Sequence, residues 1–284
     1  MAKADKSVFA RLPRNFHKTF KPERQYVNAM LRYAASGEKG DYQTIAAATG
    51  IPTGTSSGKV PAILDYCRGM GLIRLTGSER SAIKKPDLTP LGRIVLLEDP
   101  YLKTSVSQWI SHFNLCLPRT GADVWYHTFF AGTQALGMNF SRAKLEGHLN
   151  VVYGMEKSGL IGPLVGTYED EAALKICGAL TETNNNIVRR PAPVEDEFGF
   201  GYGAWMLQLM SDHFPKRRQI PITDLDAVAG WRTIPGWDIS GLQRVLEIVE
   251  RKGLIEVDRH MDPWLLIAKA EPEGAWRRIY DDML

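Results

Sequence analysis

The stretch "IPTGTSSGKVPAILDY" (51–66) decides how the rest of the chain is read, because it combines glycines, small hydroxyl residues and a Gly58-Lys59 pair. A phosphate loop of the G-x-x-x-x-G-K-[ST] kind wraps phosphates in backbone amides and gives a hydroxyl to the metal. Here the residue five before Gly58 is Thr53, and Lys59 is followed by Val60, which ligates no metal. The preceding "YQTIAAATG" (42–50) has a helical pattern where a nucleotide loop needs a strand. The stretch is therefore a turn leading into a helix.

Working outward, "QYVNAMLRYAAS" (25–36) forms a helix ended by Gly37, and residues 42–49 form a second, stopped by Gly50-Ile51-Pro52. The third helix spans 59–70, with Val60, Ile63, Leu64 and Cys67 on one buried stripe. Pro61 suits its first turn, and Ser56, Ser57 or Gly58 caps it. Gly71 closes the helix, "LIRLTG" (72–77) is a strand, "SERSAIKKPD" (78–87) a polar loop, and "LTPLGRIVL" (88–96) returns to the core. That order predicts a winged helix-turn-helix, whose third helix enters the DNA major groove.

Charge supports a polyanion partner. Residues 1–97 hold 16 Lys and Arg against 7 Asp and Glu, whereas residues 98–284 hold 19 against 25. The candidate DNA contacts are Arg11, Arg14, Lys18, Lys21 and Arg24 of the basic arm, Thr55, Ser56, Ser57 and Lys59 at the turn, and Arg80, Lys84 and Lys85 with Arg74 in the wing. Asp65, on the outward face of the third helix, would repel a phosphate. Winged helices also dock proteins, so that use stays open.

The end of the third helix recurs. "LDYCRGMGLI" (64–73), "VYGMEKSGLI" (152–161) and "LEIVERKGLI" (246–255) share an apolar start and Gly-Leu-Ile. The last copy has an earlier helix in "ITDLDAVAGW" (222–231), a cap at Asp238 or Ser240, a stripe of Ile239, Leu242, Leu246 and Val249, and a wing in "LIEVDRHMDPWLLIAK" (254–269). Its outward Glu247 and Glu250 suit protein contact rather than DNA. In the middle copy Gly154 interrupts the helix and no wing is evident.

The expected fold class is mainly α with short β-wings: winged helix-turn-helix modules at the two ends, joined by a helical middle region. The expected domains are residues 1–97, the basic arm and DNA-binding module; 98–180, the helical middle; 181–200, a linker through "TETNNNIVRRPAPVEDE" (181–197); and 201–284, an assembly module compatible with a homodimer.

Other classes are excluded or set aside. No apolar run approaches the roughly 18 residues of a spanning helix, and "MAKADKSVFARLPRNF" (1–16) has no signal-peptide core, so a cytoplasmic, membrane-free protein is expected. Cys67, Cys116 and Cys177 are widely spaced and read as reduced core thiols. Trp109, Trp125, Tyr126, Phe129 and Phe130 could stack on bases, but at helical spacing they read as core. His112, His127 and His148 lack metal-ligand pairing.

"VFARLPRNFHKTFKPER" (8–24), "AILDYCRGMGLI" (62–73), "LTPLG" (88–92), "DPYL" (99–102), "DVWYHTFF" (123–130) and "FSRAKL" (140–145), in that order, resemble a bacterial family encoded in DNA phosphorothioation gene clusters. The likeness is to the B component of the Ssp single-stranded system, and it covers residues 9–150 best. It implies DNA binding, a metal-dependent strand nick that opens the site for sulfur insertion, and partnership with a cysteine desulfurase, an ATPase and a reductase-like pyrophosphatase. Lys18 stands where the family motif carries an acidic residue, and Ser56-Ser57 where Gly-Lys is usual. No tightly bound cofactor is expected, but a nick would use Mg2+ or Mn2+ held by carboxylates. The candidates are two acidic runs, Glu169-Asp170-Glu171 and Glu195-Asp196-Glu197, although such runs are commonly solvated. The chain is thus expected to bind duplex or locally opened DNA and to make or assist a nick. A non-catalytic transcriptional regulator and a protein-docking scaffold stand as alternatives.

Overall fold

Thr53 and Gly58 close the turn ahead of the third helix through an antiparallel bridge, and Lys59 N donates to the Pro52 carbonyl at 3.1 Å. The computed structural model describes residues 11–54, 58–77, 81–154 and 159–283; Thr55, Ser56, Ser57 and Arg80 lie outside the described residues. A Cβ on Gly58 would lie 1.9 Å from Thr53 Oγ1 and 2.8 Å from its Cα. Glycine is here for close backbone approach, with no phosphate needed to explain it.

The chain divides into two units, Met1–Arg189 and Arg190–Leu284. The first begins with α1 (Arg24–Ala35), α2 (Tyr42–Thr49), α3 (Lys59–Gly69) and an antiparallel hairpin, β1 (Ile73–Leu75) and β2 (Pro86–Leu88). A Gly40–Lys84 bridge ties the start of this segment to the hairpin. Asp41 caps α2 by accepting Thr44 N at 2.8 Å, and Gly50, at φ 70°, ends it. The unit continues through α4 (Pro90–Glu98), α5 (Ser105–Leu115), α6 (Asp123–Phe129) and α7 (Thr133–Leu136). It closes with β3 (Asn139–Ser141), α8 (Arg142–Tyr153), α9 (Ile161–Glu169), β4 (Leu180–Thr183) and β5 (Asn186–Arg189), whose strands pair in the order β3-β5-β4.

The second unit holds α10 (Gly199–His213), β6 (Gln219–Pro221), α11 (Ile222–Ala229), α12 (Ile239–Arg251), β7 (Ile255–Asp258), β8 (Leu265–Ala268) and α13 (Pro272–Trp276), with strand order β6-β8-β7. The glycine-rich "FGFGYGAW" (198–205) lies at the start of α10, which is buried over most of its length. Gly203 lets that helix approach its neighbours, since a Cβ there would sit 2.3 Å from Leu254 Cδ1. The protein is mainly helical with small antiparallel sheets. No helix among the described residues is long and apolar enough to cross a membrane.

One succession, a first extended segment, two helices and a hairpin whose last strand pairs back to that segment, occurs three times. It begins at Gly40, at β3 and at β6. The middle copy departs from the sequence expectation. Gly154 does not interrupt a helix but ends α8 at φ 65°, and the β4–β5 hairpin supplies the missing wing-like element. The Gly-Leu-Ile at 159–161 opens α9, so the counterpart of Gly71 and Gly253 is Gly178, which leads into β4 with the same left-handed backbone (φ 62°, against 72° for each of the others). This hairpin occupies much of the segment 181–200.

Burial also differs from a simple stripe. On α3, Val60, Pro61, Ala62, Ile63, Leu64, Tyr66, Cys67 and Gly69 are all buried, leaving only Lys59, Asp65 and Arg68 partly accessible. Asp65 accepts from Arg68 at 2.9 Å. α12 keeps its outer face, and Ile239, expected in the core, is 66% exposed because it sits on the first turn beyond the packed Leu242, Val245 and Leu246. All three cysteines are buried thiols; Trp109, Trp125 and Phe129 are buried too, whereas Tyr126 and Phe130, also expected in the core, are only half-buried.

Gly58→Ala is expected to cost about 2 kcal/mol, because the turn must open to admit the methyl group, and to lower Tm by roughly 4–8 °C. Calorimetry checks this; an unchanged Tm would mean that the turn is loose.

Candidate functional site

Alternation along the arm sets the site. Leu12 N donates to the Gly121 carbonyl at 2.8 Å and Asp123 N to the Leu12 carbonyl at 3.0 Å, a parallel bridge that fixes the arm beside the start of α6. Leu12, Phe16 and His17 turn inward and are buried. Phe16 meets the rings of Tyr66 (4.8 Å) and Trp125 (5.8 Å), and burial lowers the His17 pKa to about 4. Arg11 and Arg14 are only partly buried. Arg11 Nε donates to Asp123 Oδ1 at 2.9 Å and Nη1 to the Pro118 carbonyl at 2.7 Å, with the guanidinium 4.1 Å from the Tyr126 ring centre. Arg14 lies 4.9 Å from the centre of the Tyr153 ring.

These contacts bound a cavity of about 620 Å³, lined by Arg11, Arg14, Pro118, Arg119, Asp123 and Tyr153 among others. Next to it, His127 Nε2 is 3.7 Å from Asp123 Oδ1, one helical turn along α6, and the imidazole stands edge-on to Tyr153 at 5.9 Å. His148 Nε2 donates to the His127 carbonyl at 3.2 Å. Burial lowers the His127 pKa and outweighs the opposing pull of Asp123, while the charges of Arg11 and His148 add to the lowering. Burial raises the Tyr153 pKa, and the Asp123 charge raises it further. At neutral pH the cavity is therefore lined by arginine cations, the Asp123 carboxylate and a protonated phenol, with a neutral imidazole packed against that phenol; the arginines are able to hold a phosphate.

The sequence candidates fall into separate places. Arg11 and Arg14 share the cavity. Lys21 pairs with Asp170, and Arg24 donates to the carbonyls of Glu171 (2.5 Å) and Tyr101 (3.4 Å). Lys18 is exposed, with its backbone left-handed at φ 45°. Lys59 Nζ donates to Glu23 Oε1 at 2.6 Å and lies 4.6 Å from the centre of the Tyr26 ring, so its ammonium serves the fold at the root of α3. Lys84 lies 5.9 Å from the Tyr42 ring, and Lys85 is exposed.

Neither acidic run converges on a point. Glu169 accepts Glu182 N at 2.7 Å, Asp170 is held low by Lys21 and by the Ala172 amide, and Glu171 pairs with Lys175 at 3.0 Å. Asp196 pairs with Arg251 at 2.6 Å, while Glu195 is exposed and Glu197 half-buried. Among the described residues no group of three or more His, Cys, Asp or Glu side chains could hold a metal ion. The runs do not fit a Mg2+ or Mn2+ centre built from this chain alone.

Sequence reasoning missed Arg119, Asp123, His127 and Tyr153. The i, i+4 spacing of Asp123 and His127 on one helix face was the available signal. Asp123→Asn is expected to move the His127 titration to lower pH, because the carboxylate is what raises it against burial. NMR titration of the imidazole checks this; an unchanged or higher midpoint would contradict the coupling.

No protein-family model matches the chain, and no curated protein matches it. Two solved structures do. A magnesium ion-bound SspB crystal structure aligns at 15% identity and TM-score 0.68 over 99% of this chain and 90% of that one. A second SspB crystal structure aligns at 14% identity with the same score and coverage. Over nearly its whole length, the chain has a fold like that of SspB.

Proposed function

We propose that this protein is the DNA-binding component of a bacterial DNA phosphorothioate modification and defence system, in the role of the Ssp B component, and that it makes or assists the nick for sulfur insertion. The SspB-like fold supports the system. The observation that carries the DNA reading is the convergence of the two segments "RLPRNF" (11–16) and "DVWYHTFF" (123–130) on one arginine-lined cavity. In this proposal each strand-helix-helix-hairpin succession is a winged helix, the second unit serves assembly, and the partners are the cysteine desulfurase, ATPase and pyrophosphatase of the same system.

Burial of α3 favours a particular mode. A helix with eight of its eleven residues buried offers little surface to a major groove. Binding then runs through backbone phosphates held by Arg11, Arg14 and Arg119, with sequence-independent affinity and strong salt dependence. For the nick, the oxygen of a water bonds to phosphorus as the P–O bond to one sugar breaks; the neutral His127 imidazole beside the cavity takes the water's proton, and the departing sugar oxygen takes one from solvent. The acidic runs enter no step.

Incubating supercoiled plasmid with the protein and Mg2+ or Mn2+ separates the readings. Open circles support nicking, shifted but intact DNA a regulator, and no shift at low salt a scaffold. Exchanging both Arg14 and Arg119 for Glu is expected to weaken duplex binding at least tenfold and to reduce the slope of log affinity against log salt by about 2. Lys59→Ala should lower Tm and leave affinity unchanged. The reverse pattern would remove the cavity from the interface and restore α3.

A further inference from the structure

The second unit is acidic, with 12 Lys and Arg against 16 Asp and Glu across residues 190–284. Six of its twelve cations are ion-paired in place: Arg251 with Asp196, Lys252 with Asp282, Arg259 with Glu250, Lys269 with Glu256, Arg277 with Glu273 and Arg278 with Asp281. Lys216, Arg217 and Arg218 form the one adjacent run among the other six. They are consecutive and exposed, and none of the three makes an ion pair among the described residues. Three adjacent like charges repel one another, so a local cluster without counterions stores unfavourable energy that an anion would relieve.

The three line a cavity of about 390 Å³ between the end of α10 and the start of α13. Its remaining wall is partly apolar, including Met210, Phe214 and Pro272, and also carries Glu271, which makes no ion pair with the three cations; the Arg217 guanidinium lies 5.9 Å from the centre of the half-buried Phe214 ring. The cationic side is anchored rather than loose. Arg217 N donates to the Phe214 carbonyl at 2.9 Å, and the Arg218 carbonyl accepts Ala268 N at 3.0 Å, which joins the loop to the central strand β8. A cavity of this size suits a small ligand. Cations beside an aromatic and prolyl wall match a phosphate joined to a flat ring, the pairing by which nucleic-acid strands are held without sequence preference.

We propose that this cavity is a second binding site, for a nucleotide unit: its phosphate on Lys216, Arg217 and Arg218, its base against Phe214 and Pro272. The unit comes either from a single strand or from a free nucleotide. The site is independent of the arginine cavity near Asp123 and does not rest on the nicking reading.

The test uses the full chain and two probes, a fluorescein-labelled dT12 strand by anisotropy and ATP by calorimetry. It compares the wild type, the Arg217→Glu and Arg218→Glu double variant, its Gln counterpart, and the Arg14→Glu and Arg119→Glu double variant as control. The expected result is at least tenfold weaker binding for the 217/218 Glu variant, an intermediate loss for the Gln variant, and an unchanged circular dichroism spectrum. Loss on dT12 assigns the site to a strand, with the salt slope lower by about 1.4 for two contacts; loss on ATP alone assigns it to a free nucleotide. The inference is overturned when the wild type binds neither probe, or when the 217/218 variants bind both as the wild type does. If only the 14/119 control loses dT12, this inference fails while the arginine cavity stands.

Discussion

Two backbone hydrogen bonds at Leu12, one to Gly121 and one from Asp123, determine what the N-terminal arm is. Without them residues 11–23 would be a basic tail in solvent, and Arg11 would have no reason to meet Asp123. With them the arm is threaded against α6, Phe16 and His17 enter an aromatic cluster with Tyr66 and Trp125, and the arginines are brought to one cavity. The clip is supported from below. Trp125 Nε1 donates to the Tyr168 hydroxyl at 2.9 Å, and that hydroxyl meets His112 Nδ1 at 2.6 Å. Burial holds His112 neutral, with a pKa of about 3. A connected buried network of this kind fixes one arrangement of α5, α6 and α9 rather than several.

The same packing decides how α3 can be used. Its apolar and small residues face neighbours on nearly every side, and Lys59 is committed to Glu23. The arm likewise spends Lys21 and Arg24 on residues 170 and 171, so part of the basic excess at the N-terminus is internal counter-charge. The proposed DNA contacts are the arginines that line the cavity, Arg11, Arg14 and Arg119. The proposed interface is thus a small surface preorganised by the fold.

Much of the fold was legible because short-range signals carry it. Gly37, Gly50 and Gly71 sit in the left-handed region where the sequence places helix ends, and Asp41 and Asp238 cap as their residue types suggest. The middle repeat was not legible, since Gly-Leu-Ile at 159–161 imitates a helix end and the working counterpart is the less similar Cys177-Gly178-Ala179-Leu180. Periodicity identified the buried stripe of α3 but not the second side packed against it, because tertiary neighbours leave no mark on a single helix. The candidate site was half legible. Arg11 and Arg14 stand out as basic residues, whereas Asp123, His127 and Tyr153 meet through packing between helices, and the Leu12 clip brings the arm's arginines to them across more than a hundred residues.

The central claim is that DNA meets the arginine cavity rather than α3. Hydrogen–deuterium exchange of the full chain with and without a duplex tests it most directly. The account predicts added protection in peptides covering 11–20 and 116–127, with α3 unchanged from its already protected state. New protection confined to 42–69, with none around the cavity, would contradict it.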